Sequence, residues 1–532
     1  MLVADDTTIV GVRADFGGGS SQTGASSVTG ASARSGLPVA LTSLAVTVFA
    51  TAVPALPSGV CMGDAGELQL AGAVLGIAHS PGYAAYITLA HLATLVPGLS
   101  PAYSITLLCL TVGVASLALA TALATRMGVN PWVASAATLG LTSHPRVWQN
   151  IITPEVYILS IAILLAAACS MTAYLRHGRR KHLLVAAFLL GVAIANRPPV
   201  LLVAPFFLWS WWKSPRRVHA PRHETTRTLS LLVLFASLPG VYSLAYFFVR
   251  DTPDSPYNYI EQHNAETPEL PRVRDGVAAR IERVLWLVTA REFYYLAGSN
   301  WGQIRAKLRW MRYELLGREF PLAAAVVILS GLGLFRALRR APGIAWLVIG
   351  IALHAFLYGL YCRNSGQAAD TLPLLFFITI FAAFGFGEVF NYCPARSQTV
   401  IAICVFAVAV ACTVRDLPDR PKYGAQGDAV GFLADVRLAE MPDDAIILTN
   451  WTYAAALLYE RILNTNRNDI DIIISQPGNW SMLADQHPGH PVYVSANTSV
   501  VANRRPTFEH NLWRLNAPEG PRSPAADQPT SH

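Results

Sequence analysis

Charge is what this chain has least of: only 14% of its 532 residues are Asp, Glu, Lys or Arg, against about a quarter in soluble domains. That shortage, with an apolar content of 53%, excludes an ordinary water-soluble fold and leaves a polytopic membrane protein. The formal charge of +7 does not point to nucleic acid, because Lys and Arg gather in short loops between apolar runs rather than in one stripe. Cysteine is sparse too. The seven copies include no C-x-x-C pair and no zinc-like spacing, and Cys109, Cys169, Cys404 and Cys412 lie in or at the ends of apolar runs as filler. No internal repeat is visible. Residues 1–36 are rich in Gly, Ser, Thr and Ala and poor in large apolar groups, cannot offset the entropy of ordering, and read as a disordered cytoplasmic arm.

Long apolar runs, by contrast, are abundant. They fall near 37–57, 101–125, 131–145, 153–174, 182–196, 198–212, 228–250, 319–337, 343–361, 371–391 and 398–413. These predict an α-helical domain of about eleven spans over 37–413, a few of them short of the usual ~20 residues. The basic loops 176–181, 213–227 and 336–340 should face the cytoplasm by the positive-inside rule. Two topologies satisfy them. In one, the short run 83–97, with His91 at its middle, lies along the membrane surface and Asp64 faces outward. In the rival, 83–97 crosses and Asp64 is cytoplasmic. Arg13 and Arg34 ahead of the first span favour the former, as does the interfacial character of 83–97.

The outward segments are then a first loop, 58–100, a long loop, 251–318, with an amphipathic stretch from Val277 to Tyr295, and everything after 414. In that last part, 445–449, 470–474 and 491–494 read as short strands with a helical run 451–464 between the first two. The expectation is a small extracytoplasmic α/β tail, 414–532, ending in a low-complexity Pro/Ser-rich stretch. Three N-x-[ST] triplets at Asn450, Asn479 and Asn497 matter only in a host that glycosylates asparagine there.

Ionisable groups at a membrane face cost free energy unless partnered, so their positions direct attention to function. Gly63-Asp64-Ala65-Gly66-Glu67 follows the first span, and His79-Ser80-Pro81-Gly82-Tyr83 comes soon after. Asp64 and Glu67 share a helix face; first-turn capping accounts for Glu67 more readily than for Asp64. Thr153-Pro154-Glu155 opens a span on the same side, where capping explains Thr153 and Pro154 and leaves Glu155 open. His144, Arg146 and Gln149 precede it. Asn196-Arg197-Pro198-Pro199 separates two half-length runs; a guanidinium there either snorkels to headgroups or forks a phosphate. Arg363, Asn364 and Asp370 offer further charge and polarity between two later spans. No metal-ligand spacing is visible, although a convergence of Asp64 and Glu155 would present a carboxylate pair to an ion.

Taken together, the residues 63–67, 75–83, Pro154-Glu155-Val156-Tyr157 and Gly191 to Arg197 resemble those of GT-C class polytopic glycosyltransferases. More narrowly they are similar to the family of transmembrane protein O-mannosyltransferases and its bacterial relatives. The likeness covers about 37–212; the chain departs from the pattern at Ser80 and Ala85, where the family often has Pro, and Arg197 stands where relatives often carry another polar or basic residue. The resemblance implies inverting transfer of a sugar, mannose in the animal members, from a polyprenyl-phosphate carrier to a protein or glycan hydroxyl on the outer face. Asp64 is then the expected base, and Arg197 stabilises the departing phosphate. Glu67, His79, Tyr83, Arg146, Glu155, Asn196 and Arg363 complete the expected substrate site. The lipid-phosphate sugar is a substrate, and no cofactor is expected. A secondary transporter or lipid flippase is the competing class; it would carry its charges or unwound helices near mid-span.

Overall fold

The computed structural model describes residues 36–214, 221–263, 276–316, 320–362, 368–417, 429–495, 507–510 and 512–515. The arm expected over residues 1–36, apart from Gly36, and the low-complexity end therefore lie outside the described residues. So do Arg363, Asn364 and Asn497.

Among the described residues, seven helices are long and apolar enough to cross a membrane: Leu37–Ala55, Pro101–Arg126, Val156–His177, Arg222–Arg250, Pro342–Tyr361, Thr371–Phe390 and Ser397–Arg415. The other expected spans take shorter or composite forms. Pro131–Gly140 continues through a 3-10 turn into Pro145–Ile152, and Arg180–Asn196 is followed by a 3-10 segment, Pro198–Val203, and the helix Ala204–Trp212. Phe320–Arg340 stands at the position expected for 319–337. The break at Arg197 has a local cause: two prolines follow it, and Pro both lacks an N–H and drives the preceding residue to extended backbone. Arg197 has φ −143° and ψ 100° accordingly.

The run 83–97 forms the helix Ala84–Thr94, whose 11 residues reach about 16 Å, half a hydrocarbon core. It buries Tyr86, Ile87 and Ala90 and turns Leu89, Leu92 and Leu95 outward. The rival topology would put Asp64 and Arg197 on opposite membrane faces, whereas both line one cavity. At the far ends of the spans the basic residues meet: Arg176 donates to the Arg126 carbonyl, and Arg340 pairs with Glu388.

The helix Gly63–Val74 that carries Asp64 is held at both ends. Behind its start, the fully buried Gln69 accepts a hydrogen bond from Cys61 N at 2.7 Å and donates to Ala102 O and Thr106 Oγ1, both at 3.1 Å. Gly66 admits the backbone of the preceding loop, since a Cβ there would lie 2.0 Å from the Cys61 carbonyl oxygen. At the other end, Arg250 donates to Leu75 O at 2.6 Å and Val74 O at 2.8 Å, placing a cation on a helix C-terminus.

The long loop is anchored by a buried ion pair. Arg283 forks Asp251 through two bonds of 2.8 Å, and Asn258 donates to the same carboxylate at 2.8 Å. This clamps the helix Val277–Val288, the start of the expected amphipathic stretch, onto the end of the Arg222–Arg250 span. Arg283→Ala would leave the Asp251 carboxylate buried without the guanidinium that neutralises it. It is expected to cost about 3–5 kcal/mol, read as a lower thermal unfolding midpoint in detergent.

The tail is an α/β unit with strands β1 Ile446–Thr449, β2 Asp471–Ile474, β3 Val492–Val494, β4 Thr507–Glu509 and β5 Leu512–Leu515, in the order β2-β1-β3-β5-β4. β1 pairs in parallel with β2 and β3, and β5 is antiparallel to β3 and β4. The helix Trp451–Tyr459, with a π-helical extension Glu460–Thr465, supplies the crossover from β1 to β2. It packs on the helix of Asp64, with Ala455 against Gly66 and the Tyr459 hydroxyl accepting from Ala102 N. Among the described residues no two cysteines form a disulfide.

Candidate active site

A cavity of about 810 Å³ opens where the first outer loop, the long loop, the span ends and the tail converge. Asp64, His79, Tyr83, Tyr157, Arg197, Tyr259, Tyr358 and Trp451 are among its lining residues. Its volume falls within the range of small-molecule sites, about 300–1,000 Å³.

Asp64 projects from the first turn of its helix, where the macrodipole favours a carboxylate. Its Oδ1 accepts a 2.6 Å hydrogen bond from the indole N–H of Trp451. Glu67, one turn on, is fully buried and faces away from the cavity. It does not act as a helix cap. Its carboxylate accepts from His79 N at 2.7 Å and from the Tyr257 hydroxyl at 2.8 Å, and pairs with His79 Nδ1. Burial lowers the His79 pKa, but the Glu67 carboxylate, aided by Asp64 and Glu292, outweighs it and raises the group to about 9. His79 is thus an imidazolium at neutral pH, with Nε2 facing the Tyr83 hydroxyl at 3.3 Å.

The sign of that shift makes a prediction. A pKa raised from 6.5 to about 9 gives stability that is fully present below pH 6.5 and lost as pH rises through 9. In Glu67→Gln, burial is opposed only by the weaker pull of Asp64 and Glu292. The His79 titration midpoint, followed by NMR, should fall well below 9, and the decline in thermal stability between pH 6.5 and 9 should flatten.

Arg197 emerges between the two half-length helices with its guanidinium 4.9 Å from the Tyr157 ring centroid and 5.7 Å from that of Tyr358. Stacking between aromatic faces orients a guanidinium while its charge still reaches the cavity. Tyr259 donates to Glu292 Oε2 at 2.9 Å and stands edge-on to Trp451.

The remaining expected residues lie apart from this wall. Asn196 is fully buried, donating to Ser160 Oγ at 2.9 Å, so it ties two spans together rather than lining the cavity. Arg146 lies over the ring of Trp310, at 5.9 Å, on the long loop's helix Trp301–Leu316. Glu155 faces a small apolar recess formed with Tyr86, Cys109 and Ile158. Burial, reinforced by the charge of Asp64 and opposed by His79, raises its pKa to about 8. Thr153 makes no cap: the residue at the helix boundary is Glu155, and its side chain accepts no capping bond. Among the described residues, no group of three His, Cys, Asp or Glu side chains is gathered to hold a metal ion.

Sequence reasoning missed Trp451, Tyr259, Tyr157 and Tyr358 as site residues. For Trp451 a signal exists: it follows β1 directly, and ligands of parallel sheets bind beyond the carboxyl ends of the strands.

The architecture is that of the GT-C class. ArnT from Cupriavidus metallidurans in the apo state superposes with a TM-score of 0.55 at 13% identity, covering 91% of this chain and 98% of that one. The same protein bound to undecaprenyl phosphate gives 0.53 at 15% identity, covering 90% and 98%. These likenesses are of fold. In sequence, residues 64–218 match the family model for the protein O-mannosyl-transferase TMEM260 N-terminal domain. Protein O-mannosyl-transferase TMEM260 of Mus musculus is 30% identical over 239 residues, 43% of this chain and 32% of that protein. The match spans about a third of that relative's length.

Proposed function

We infer that this chain is a membrane glycosyltransferase that moves a sugar, mannose by its sequence relatives, from a polyprenyl-phosphate carrier to a protein or glycan hydroxyl. The observation that carries the reading is one cavity faced by a carboxylate, Asp64, and a stacked guanidinium, Arg197. Asp64 accepts the proton of the acceptor hydroxyl as its oxygen attacks the anomeric carbon. The bond from that carbon to the phosphate oxygen breaks, and Arg197 takes up the charge on the departing lipid phosphate. Attack and departure on opposite faces invert the anomeric centre. His79 and Tyr83 orient the sugar, with Glu67 and Tyr257 behind them fixing the imidazolium. These steps are carried by the protein's side chains.

The basic loops at the far ends of the spans support a cavity and tail on the extracytoplasmic side and an N-terminal arm in the cytoplasm. The bilayer delivers the lipid donor, and a fold relative holding undecaprenyl phosphate supports a carrier of that kind. A transporter or flippase would gather its charges at mid-span, whereas these groups stand at one end of the spans. The test is transfer of labelled mannose from polyprenyl-phosphate mannose to a hydroxyl acceptor by the purified chain. Absence of any covalent product would exclude the reading.

A further inference from the structure

Asp64 and Trp451 are 387 positions apart and meet through a 2.6 Å hydrogen bond that joins the membrane domain to the tail. The contact is built rather than incidental. Trp451 is the first residue of a helix whose Asn450 side chain accepts from Thr452 N at 3.0 Å, which fixes the helix start at the carboxyl end of β1. Further along, the same helix rests on Gly66 through Ala455 and on Ala102 through Tyr459. The indole is also held edge-on by Tyr259, with ring centroids 5.6 Å apart, and by His79 at 6.4 Å. Its N–H therefore points at one carboxylate oxygen with little freedom to leave it.

A general base works only when one lone pair is aimed at the proton it accepts. With Oδ1 occupied, Oδ2 is the oxygen presented to the acceptor. The tail also lines the cavity beside Asp64, through Asn450 after β1 and Ser475 and Gln476 after β2. We propose that Trp451 is a positioning residue for Asp64, so that the tail domain forms part of the active site rather than an appended module. The inference rests on the reading of Asp64 as the base. In the step it governs, the proton of the acceptor hydroxyl passes to Asp64 Oδ2, the acceptor oxygen bonds to the anomeric carbon, and the electron pair of the broken bond leaves on the phosphate.

The test uses the full chain in lipid with polyprenyl-phosphate mannose and a hydroxyl acceptor, alongside wild type and Asp64→Asn. Trp451→Phe keeps the aromatic contacts and removes the N–H. It is expected to lower kcat by about 10–100-fold, the scale of one hydrogen bond to a charged group, with donor KM within about twofold. Trp451→His, which returns a ring N–H near the same reach, is expected to recover part of kcat. Wild-type kcat in Trp451→Phe overturns the proposal. So does a loss carried by donor KM, an equal loss in Trp451→His, or a Trp451→Phe protein that does not fold, each of which makes Trp451 merely structural. An active Asp64→Asn protein defeats the base reading itself. If Asp64→Asn is inactive and Trp451→Phe is unimpaired, this inference alone fails.

Discussion

Asp64→Asn protein, purified and folded, is expected to transfer sugar about 10²–10⁴-fold more slowly than wild type, the usual contribution of a positioned general base. The substitution exchanges one carboxylate oxygen for an NH2 group and keeps the shape of the side chain. Its amide oxygen still accepts from Trp451, so the contact between tail and membrane domain survives. What disappears is a group able to take the proton of an attacking hydroxyl. The loss should fall on kcat, with donor KM near wild type and an unchanged melting temperature, because Gln69, Arg250 and the packed tail helix hold the backbone of residues 63–74. Single-turnover release of polyprenyl phosphate measures the step directly.

Arg197→Ala is expected to lower kcat by about 10²–10³-fold, as when a donor aimed at a developing anion is removed. The effect arises on the phosphate side and should persist with every acceptor. Arg197→Lys restores the charge without the planar group seated against Tyr157 and Tyr358, so it should recover only part of the loss. The two substitutions separate the halves of the reaction. A better leaving group on the donor should rescue Arg197→Ala and leave Asp64→Asn unimproved.

Much of this site was legible before any coordinates. Asp64, His79 and Tyr83 stand in Gly- and Pro-punctuated turns at a span end, and Arg197 precedes two prolines between half-length runs, so local chemistry marks them. Parallel β1, β2 and β3 and the crossover helix were likewise visible as apolar runs separated by turns. β4 and β5, three and four residues long, carry too little pattern to stand out.

Other features follow from tertiary docking. Whether Asn196 faces a cavity or a neighbouring span depends on helix rotation within a wholly apolar segment, where the polar-apolar alternation that reports a face is missing. Glu67 read as a cap because capping is a local rule. Its actual partners, Tyr257 and His79, lie on other segments and are brought to it by the pairing of Ile77 with the long loop, where Tyr259 N donates to Ile77 O at 3.0 Å. Trp451 was hidden for the same reason: its role exists only once the tail has docked on the Asp64 helix.

The most direct test of the account is to reconstitute the chain in vesicles with doubly labelled polyprenyl-phosphate mannose and a hydroxyl acceptor, and to follow both labels. The account predicts mannose covalently on the acceptor and an equal amount of free polyprenyl phosphate, both absent with Asp64→Asn. Donor that crosses the bilayer intact, with no mannose on the acceptor, would contradict it and identify the chain as a lipid transporter.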